Sequence, residues 1–347
     1  MRTTLKDIAE RVGVTKALVS LYLNNHPLSA KIAKSTKEKI DRAVKELNYH
    51  PSTTARALKS GRSRTLGLVI GDICSNYFGF LAQSLLNECA KYDYQLLIGI
   101  TRFDPAEERR CLENLINRQT DGIFYGMGVF PGEYLLSSGW KEYPILQLHS
   151  LHPDFNAIGR DEKEALKTAL RCVREQGARR IVVAGYGSWL GIIRKELESE
   201  EGMEVIHVPL DFFSTEEDFD RIRELAPDAV FCSSSTFVVS ILERYSGKSG
   251  TTLPRFIYSY TLPCDCIDEP CITGVIVPDF KNTIRTSVLR MIRMLEKPEN
   301  EVKHLKTPVQ YLERDQMLKC CEQQLADPFY EPFSMKLKYK QKGIHHE

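Results

Sequence analysis

Residues 5–24 carry two short amphipathic helical patterns on either side of a single glycine, and few folds accommodate that spacing. Leu5, Ile8, Ala9 and Val12 share one face at a period of 3.6. Thr4 stands where a helix N-cap belongs, with Asp7 placed to close a capping box. Gly13 supplies the backbone freedom of a tight turn. Val14, Leu18, Val19 and Leu23 give the second helix a packing side. Thr15, Lys16, Ala17, Ser20, Leu21 and Tyr22 are left near the outer surface, where the second helix of a helix-turn-helix meets a major groove. A third helix is expected over residues 35–47, with Ser35 and Glu38 as its capping box and Ile40, Ala43, Val44 and Leu47 as its buried stripe. Pro51 ends it, and residues 52–60 suit about two more turns of helix, too few to hold alone in water.

Charge points the same way. Residues 1–64 have a net charge of +9 and the remainder −8, so the overall +1 hides a strong asymmetry. A basic end suits contact with the phosphates of double-stranded DNA. The 347 residues, 42% hydrophobic, leave room after this head for a large two-lobed body. No apolar run reaches membrane-spanning length and no signal-peptide pattern opens the chain, so the expectation is a cytoplasmic, nucleoid-associated protein without a membrane partner.

From residue 65 the pattern becomes βαβ. Strands are expected at 65–70, 95–100, 122–125 and 144–148, with helices at 77–91 and 105–118, the latter capped by Asp104 with Pro105 in its first position. A second lobe follows after about residue 158. It has a helix at 162–176 stopping at Gly177, and strands at 181–184, 229–232, 256–258 and 272–278. A helix at 281–295 and a strand at 309–313 return to the first lobe. This is an α/β fold with a parallel sheet, preceded by an all-α head. Single cysteines read as small buried hydrophobes. Cys264, Cys266 and Cys271 lack metal-ligand spacing and a nearby histidine, so no metal and no cofactor are expected.

The N-terminal motifs resemble the lactose-repressor (LacI/GalR) family of bacterial transcription regulators. The resemblance rests on Leu5-Lys6-Asp7-Ile8-Ala9, Gly13-Val14-Thr15, Val19-Ser20 and Leu23-Asn24, then Glu46-Leu47-Asn48-Tyr49-His50-Pro51 and Ala55-Arg56-Ala57-Leu58-Lys59-Ser60-Gly61, in that order. It implies a helix-turn-helix head over 1–50 and a hinge helix and linker over 51–64. A two-lobed, periplasmic-binding-protein-like (Rossmann-like) effector and dimerisation domain would span 65–318, with lobe 1 at about 65–157 and 281–318 and lobe 2 at 158–280. A C-terminal tail covers 319–347, either a flexible basic segment or a strap across the partner subunit. By the same resemblance Thr15, Ser20, Asn24 and Asn25 touch phosphates, while Lys16, Ala17 and Leu21 read bases. Leu58 wedges into the minor groove, flanked by Arg56 and Lys59. Leu21 departs from the usual Arg or His, and leucine can read only a thymine methyl or shape. Lys16 is left as the main polar reader, with guanine its natural partner. The stretch 25–32 is longer than the family norm, and its lysines are either phosphate contacts or solvated.

The ligand chemistry is less legible. The resemblance places Tyr77, Phe78, Asp72, Asp161, Arg194, Ser235, Tyr260 and His149 around an inter-lobe cleft, yet Asp72 and Asp161 also fit turn or cap roles, and His149 fits a plain loop histidine. The expected function is a homodimeric repressor reading a near-palindromic operator, modulated by a sugar-like small molecule. A second reading keeps DNA binding and drops the small molecule, treating the cleft as degenerate. A sugar-acting enzyme is a remote third, since no nucleophile motif, phosphate-binding glycine loop or carboxylate pair is present.

Overall fold

Local chemistry builds the head. The Thr4 N–H and hydroxyl both donate to the Asp7 carboxylate, at 2.7 and 2.9 Å. Helix α1 (Leu5–Val12) therefore opens on the expected capping box. These bonds, the Thr4 N–H foremost, hold the Asp7 carboxyl below the usual carboxylate range. Gly13 ends α1 at φ 76°, a left-handed conformation that favours glycine. Helix α2 (Lys16–Leu23) is capped by Thr15, whose hydroxyl oxygen accepts from the Leu18 N–H at 3.3 Å.

Residues expected as loop form a 3₁₀ turn, Pro27–Lys31, with His26 Nδ1 accepting from the Leu28 N–H. Helix α3 (Lys34–Glu46) then starts a residue earlier than expected, with Ala33 as N-cap and without the Ser35–Glu38 capping box. The 3₁₀ turn delivers the chain extended at Ile32 and Ala33. The Ala33 carbonyl already accepts from Thr36 and Lys37, so the helix is under way before Ser35 can cap it. Ile8, Ala9, Val19, Ile40 and Ala43 form the head core. Arg11–Glu46 (3.0 Å) and Thr3 to the Leu47 carbonyl (2.8 Å) tie its two ends.

The chain divides into two compact units, 1–64 and 65–347. The computed structural model describes residues 3–24, 26–50, 61–74, 76–126, 132–140, 142–148, 152–161, 163–185, 190, 202–211, 213–245, 252–259, 269–297 and 301–325. The expected site residues Asn25, Arg56, Leu58, Lys59, His149, Arg194 and Tyr260 lie outside them.

The second unit alternates strands and helices, as the apolar runs bounded by turn residues require. Its first half contains β1 (Thr65–Ile70), α4 (Asn76–Ala90), β2 (Gln95–Ile100), α5 (Pro105–Asn117), β3 (Gly122–Gly126), α6 (Gly132–Ser137), β4 (Ile145–Leu148) and β5 (Asn156–Asp161). Its second half contains α7 (Lys163–Glu175), β6 (Arg180–Gly185), β7 (Glu204–Pro209), α8 (Glu216–Glu224), β8 (Ala229–Cys232), α9 (Ser235–Tyr245), β9 (Arg255–Ser259) and β10 (Ile272–Pro278). Then follow α10 (Phe280–Glu296), β11 (His304–Glu313) and α11 (Arg314–Leu325). The strands run in the order β2-β1-β3-β4-β5-β11-β10-β9-β8-β6-β7. Both half-sheets are parallel, and among the described residues the one antiparallel pair joins β10 to β11. Apolar clusters cover both faces of each half, as parallel sheets demand.

Three expectations about this unit change. Residues 158–161 do not open the second half. They end β5, which pairs with β4 and β11 in the first. The strand expected at 309–313 is the second part of a ten-residue strand, and it pairs with β10 rather than completing the first half. A period-2 pattern shows that a strand exists but not which neighbours it finds. The tail expected from 319 begins inside α11, whose Met317 is fully buried in the core of the second half.

One buried group has a pH consequence. Glu108, on the sheet-facing side of α5, is 5% exposed, and burial pushes its carboxyl up to about 7. Its folded pKa lies above its unfolded value. The stability difference is therefore absent below about pH 4.5 and grows against the fold as pH rises through 7. Glu108→Gln is expected to raise the thermal midpoint at pH 8 and to leave it nearly unchanged at pH 4, an effect on the order of 2 kcal/mol. Melting curves of both proteins at the two pH values check this, and equal shifts at both would refute it.

Candidate nucleic-acid interface and ligand cleft

The 3.6-residue period divides α2 into two faces. Leu18, Val19, Tyr22 and Leu23 pack on the head core. Lys16, Ala17, Ser20, Leu21 and Asn24 fall on the opposite side. Thr15, Lys16 and Ala17 are exposed at the helix N-terminus, and Leu21 is half-buried outside the head core. Asn24 Nδ2 donates to the Ser20 carbonyl (2.7 Å) and to its hydroxyl (3.2 Å), so two of the expected phosphate contacts brace each other. Tyr22 sits differently from its expected place among the outward residues. Its ring packs inward and its hydroxyl donates to Asp41 of α3 at 2.8 Å. Its position relative to Leu18 and Val19 turns it away from the outer face. The exposed N-terminus of α2, with Lys16 in its first turn, offers a positive dipole end and free N–H groups of the kind that phosphates occupy.

In the second unit, strand register locates a candidate cleft. Asp161 at the end of β5 pairs with Pro308, and Pro278 at the end of β10 pairs with Val309. The carboxyl ends of both half-sheets thus meet at adjacent residues of β11. In open parallel sheets, ligands lie beyond those carboxyl ends. Here the two sets of ends converge.

Several expected ligand residues lie at these ends. The Asp72 carboxylate accepts from the Cys74 N–H at 2.8 Å, a turn-forming role. Phe78 is 3% exposed in the first-half core. One position away on the helix, Tyr77 packs against the cores of both halves. Burial pushes its hydroxyl above the usual phenol range, and Arg160 next to Asp161 partly offsets this. Tyr77 also meets Phe280, which meets Phe80 edge-on at 5.1 Å. Ser235 opens α9.

Three residues here escaped the sequence reading. Phe103 is held by positive φ at both Arg102 and itself, with Asp104 N–H returning to the Thr101 carbonyl, and its ring covers Gly71. The Arg-Phe pair sits where turns of this shape favour Asn-Gly, so nothing in it advertises the turn. Phe280 carried no signal beyond helix periodicity. Ser259 ends β9, 1% exposed, with its hydroxyl unpartnered. Only the strand's final register makes it a cleft residue.

A basic helix-turn-helix with an open outer face, followed by two α/β halves whose strand ends converge, defines a DNA-binding transcriptional regulator. Among the described residues no helix is long and apolar enough to cross a membrane. Residues 4–52 match the family described as "Bacterial regulatory proteins, lacI family". Catabolite control protein A of Staphylococcus epidermidis is 27% identical over 271 residues, 74% of this chain and 80% of that protein. The catabolite repressor/activator of Escherichia coli K12 is 34% identical over 146 residues, 42% of this chain and 43% of that protein. A lac repressor dimer bound to operator and the anti-inducer ONPF superposes with a TM-score of 0.77 at 17% identity, covering 91% of this chain and 99% of that one, which shows the shared periplasmic-binding-protein-like fold. The head, residues 4–52, is that of the lacI family of bacterial regulatory proteins, and the relatives named above support a regulator of LacI/GalR type.

Proposed function

We propose that the protein is a cytoplasmic homodimeric repressor of a near-palindromic operator, with its DNA affinity set by a small polar molecule held where the two half-sheets converge. The observation that carries the ligand part is the meeting of strand ends at Pro308 and Val309, beside which Ser259 keeps a buried hydroxyl without a partner. A buried polar group left unpaired is unfavourable, and a ligand that pairs it gains affinity. The dimer part draws support from edge strand β2, where Leu97 and Ile100 are exposed. Ligand binding changes DNA affinity only through its different affinities for two arrangements of the halves.

Selection of binding sites from randomised duplexes by the full chain tests the DNA part, and an enriched near-palindrome is expected. A thermal-shift screen of sugars and nucleobases tests the ligand part. If no compound shifts the midpoint, the effector is wrong and the degenerate-cleft reading replaces it. Lys16→Ala is expected to relax the preference at one G·C pair of the selected site, weakening binding by about 1–3 kcal/mol. Unchanged selectivity at every position in a repeated selection would remove Lys16 as a base reader.

A further inference from the structure

We propose that Tyr22 is a positioning residue of the recognition helix: its hydroxyl bond to Asp41 sets the rotation of α2 and, through it, base discrimination by the outward face. The inference rests on α2 being the helix that enters the groove, and extends that reading to a residue on its opposite side.

Helix α2 has eight residues, too few to hold its own geometry in water. Its orientation must come from what it packs against. Val19 is its one fully buried side chain, and Leu18 and Leu23 are partly covered. Such apolar contacts are non-directional and tolerate rotation about the helix axis. The Tyr22–Asp41 bond is directional, 2.8 Å long, and spans nineteen residues of sequence. Among the described residues it is the only side-chain hydrogen bond between α2 and α3. Asp41 also pushes the Tyr22 hydroxyl above its ordinary pKa, so the phenol keeps its proton and donates throughout the neutral range.

Rotation matters more in this head than it would with an arginine at position 21. A bidentate arginine pulls itself into register with a guanine edge. Leu21 has no such directional bond. Its contact with a thymine methyl is dispersive and falls away within about an ångström of the optimum. A small rotation of α2 therefore degrades readout by Leu21 while leaving phosphate contacts largely intact.

The test compares Tyr22→Phe, Asp41→Ala and the double variant of the full chain. Affinity is measured for the duplex enriched by the wild type and for a random-sequence duplex of equal length, at one salt concentration. Tyr22→Phe is expected to lower affinity for the enriched duplex by about threefold to tenfold with random-duplex affinity unchanged. Asp41→Ala also removes a negative charge from a basic head and raises affinity for any duplex. The ratio of the two affinities is therefore the readout, and this ratio should fall equally in both single variants and no further in the double. Asp41→Asn, which keeps an acceptor oxygen, should restore it. Melting of the head should be little changed in Tyr22→Phe, which excludes a merely structural effect. Equal losses on both duplexes would make Tyr22 a phosphate contact, and additive losses in the double variant would uncouple it from Asp41. Either outcome overturns the proposal. A wild type that enriches no sequence would instead sink the underlying reading of α2, and the proposal with it.

Discussion

Replacing Leu58 by alanine is expected to weaken binding to the enriched operator by about tenfold to a hundredfold, about 1.4–2.8 kcal/mol, with little change on random DNA. Leu58 stands in Thr54-Ala55-Arg56-Ala57-Leu58-Lys59, the hinge motif that the resemblance to the LacI/GalR family implies. An apolar wedge between base pairs opens the step and bends the duplex, and the bend brings more protein onto more DNA. Only a site with a flexible central step yields that return, so the wedge contributes to specific binding and scarcely to phosphate attraction. Alanine lacks the length to part a base step, whereas Arg56 and Lys59 keep their charges. Anisotropy titrations of both duplexes at one salt concentration give the two numbers. Equal losses would make Leu58 an ordinary linker residue and leave specificity to α2 alone.

Met317→Ala is expected to destabilise the second unit by about 2–5 kcal/mol. Met317 is fully buried on α11, in the cluster containing Ile272 and Val275 of β10. Truncation leaves a cavity under the helix that follows β11. Arg314 also anchors that helix, donating to the Glu269 and Ile272 carbonyls at 2.7 and 2.8 Å. Collapse into the cavity would pull on both anchors, so little relaxation is expected. Urea unfolding of the variant should show an earlier transition for residues 65–347, with the transition of the head unmoved. A loss below about 0.5 kcal/mol, the range of surface substitutions, would return α11 to the tail and restore 319 as the domain's end.

The contrast between these two residues marks what could be read from the chain alone. The expectation at Leu58, which lies outside the described residues, rests on the short linear motif that encloses it. Met317 could not be read in this way, because its burial is set by β10, more than forty residues upstream. The head shows the same division. Thr4, Asp7 and Gly13 act within one turn of helix, and their roles held in the structure. Ser35 and Glu38 have the right spacing for a capping box, but the 3₁₀ turn before them had already started the helix. Tyr22 looked outward as one of a run of polar and aromatic positions, until its packing with Leu18 and Val19 turned it toward Asp41.

In the body, β1, β8 and β10 fall where their apolar runs end, since a strand buried on both faces needs nothing but such a run, and the half-exposed edge strand β2 also follows its apolar run. Strands β5 and β7 went unread. Asn156-Ala157-Ile158-Gly159-Arg160-Asp161 mixes polar and small residues, and it becomes a strand by pairing between β4 and β11. Phe103 and Ser259 reach the cleft only through a strained turn and a strand end.

Sequence alone determined the capped helices, the glycine turn, the asymmetric charge and the βαβ rhythm, because each depends on interactions within a few residues or on composition. Tertiary structure decided how β11 is shared, where the carboxyl ends meet, how Tyr77 and Phe78 divide between the cores, and which way Tyr22 faces. Those outcomes depend on pairings between residues far apart in the chain. Each is chosen by which arrangement buries the most apolar surface with every backbone group paired.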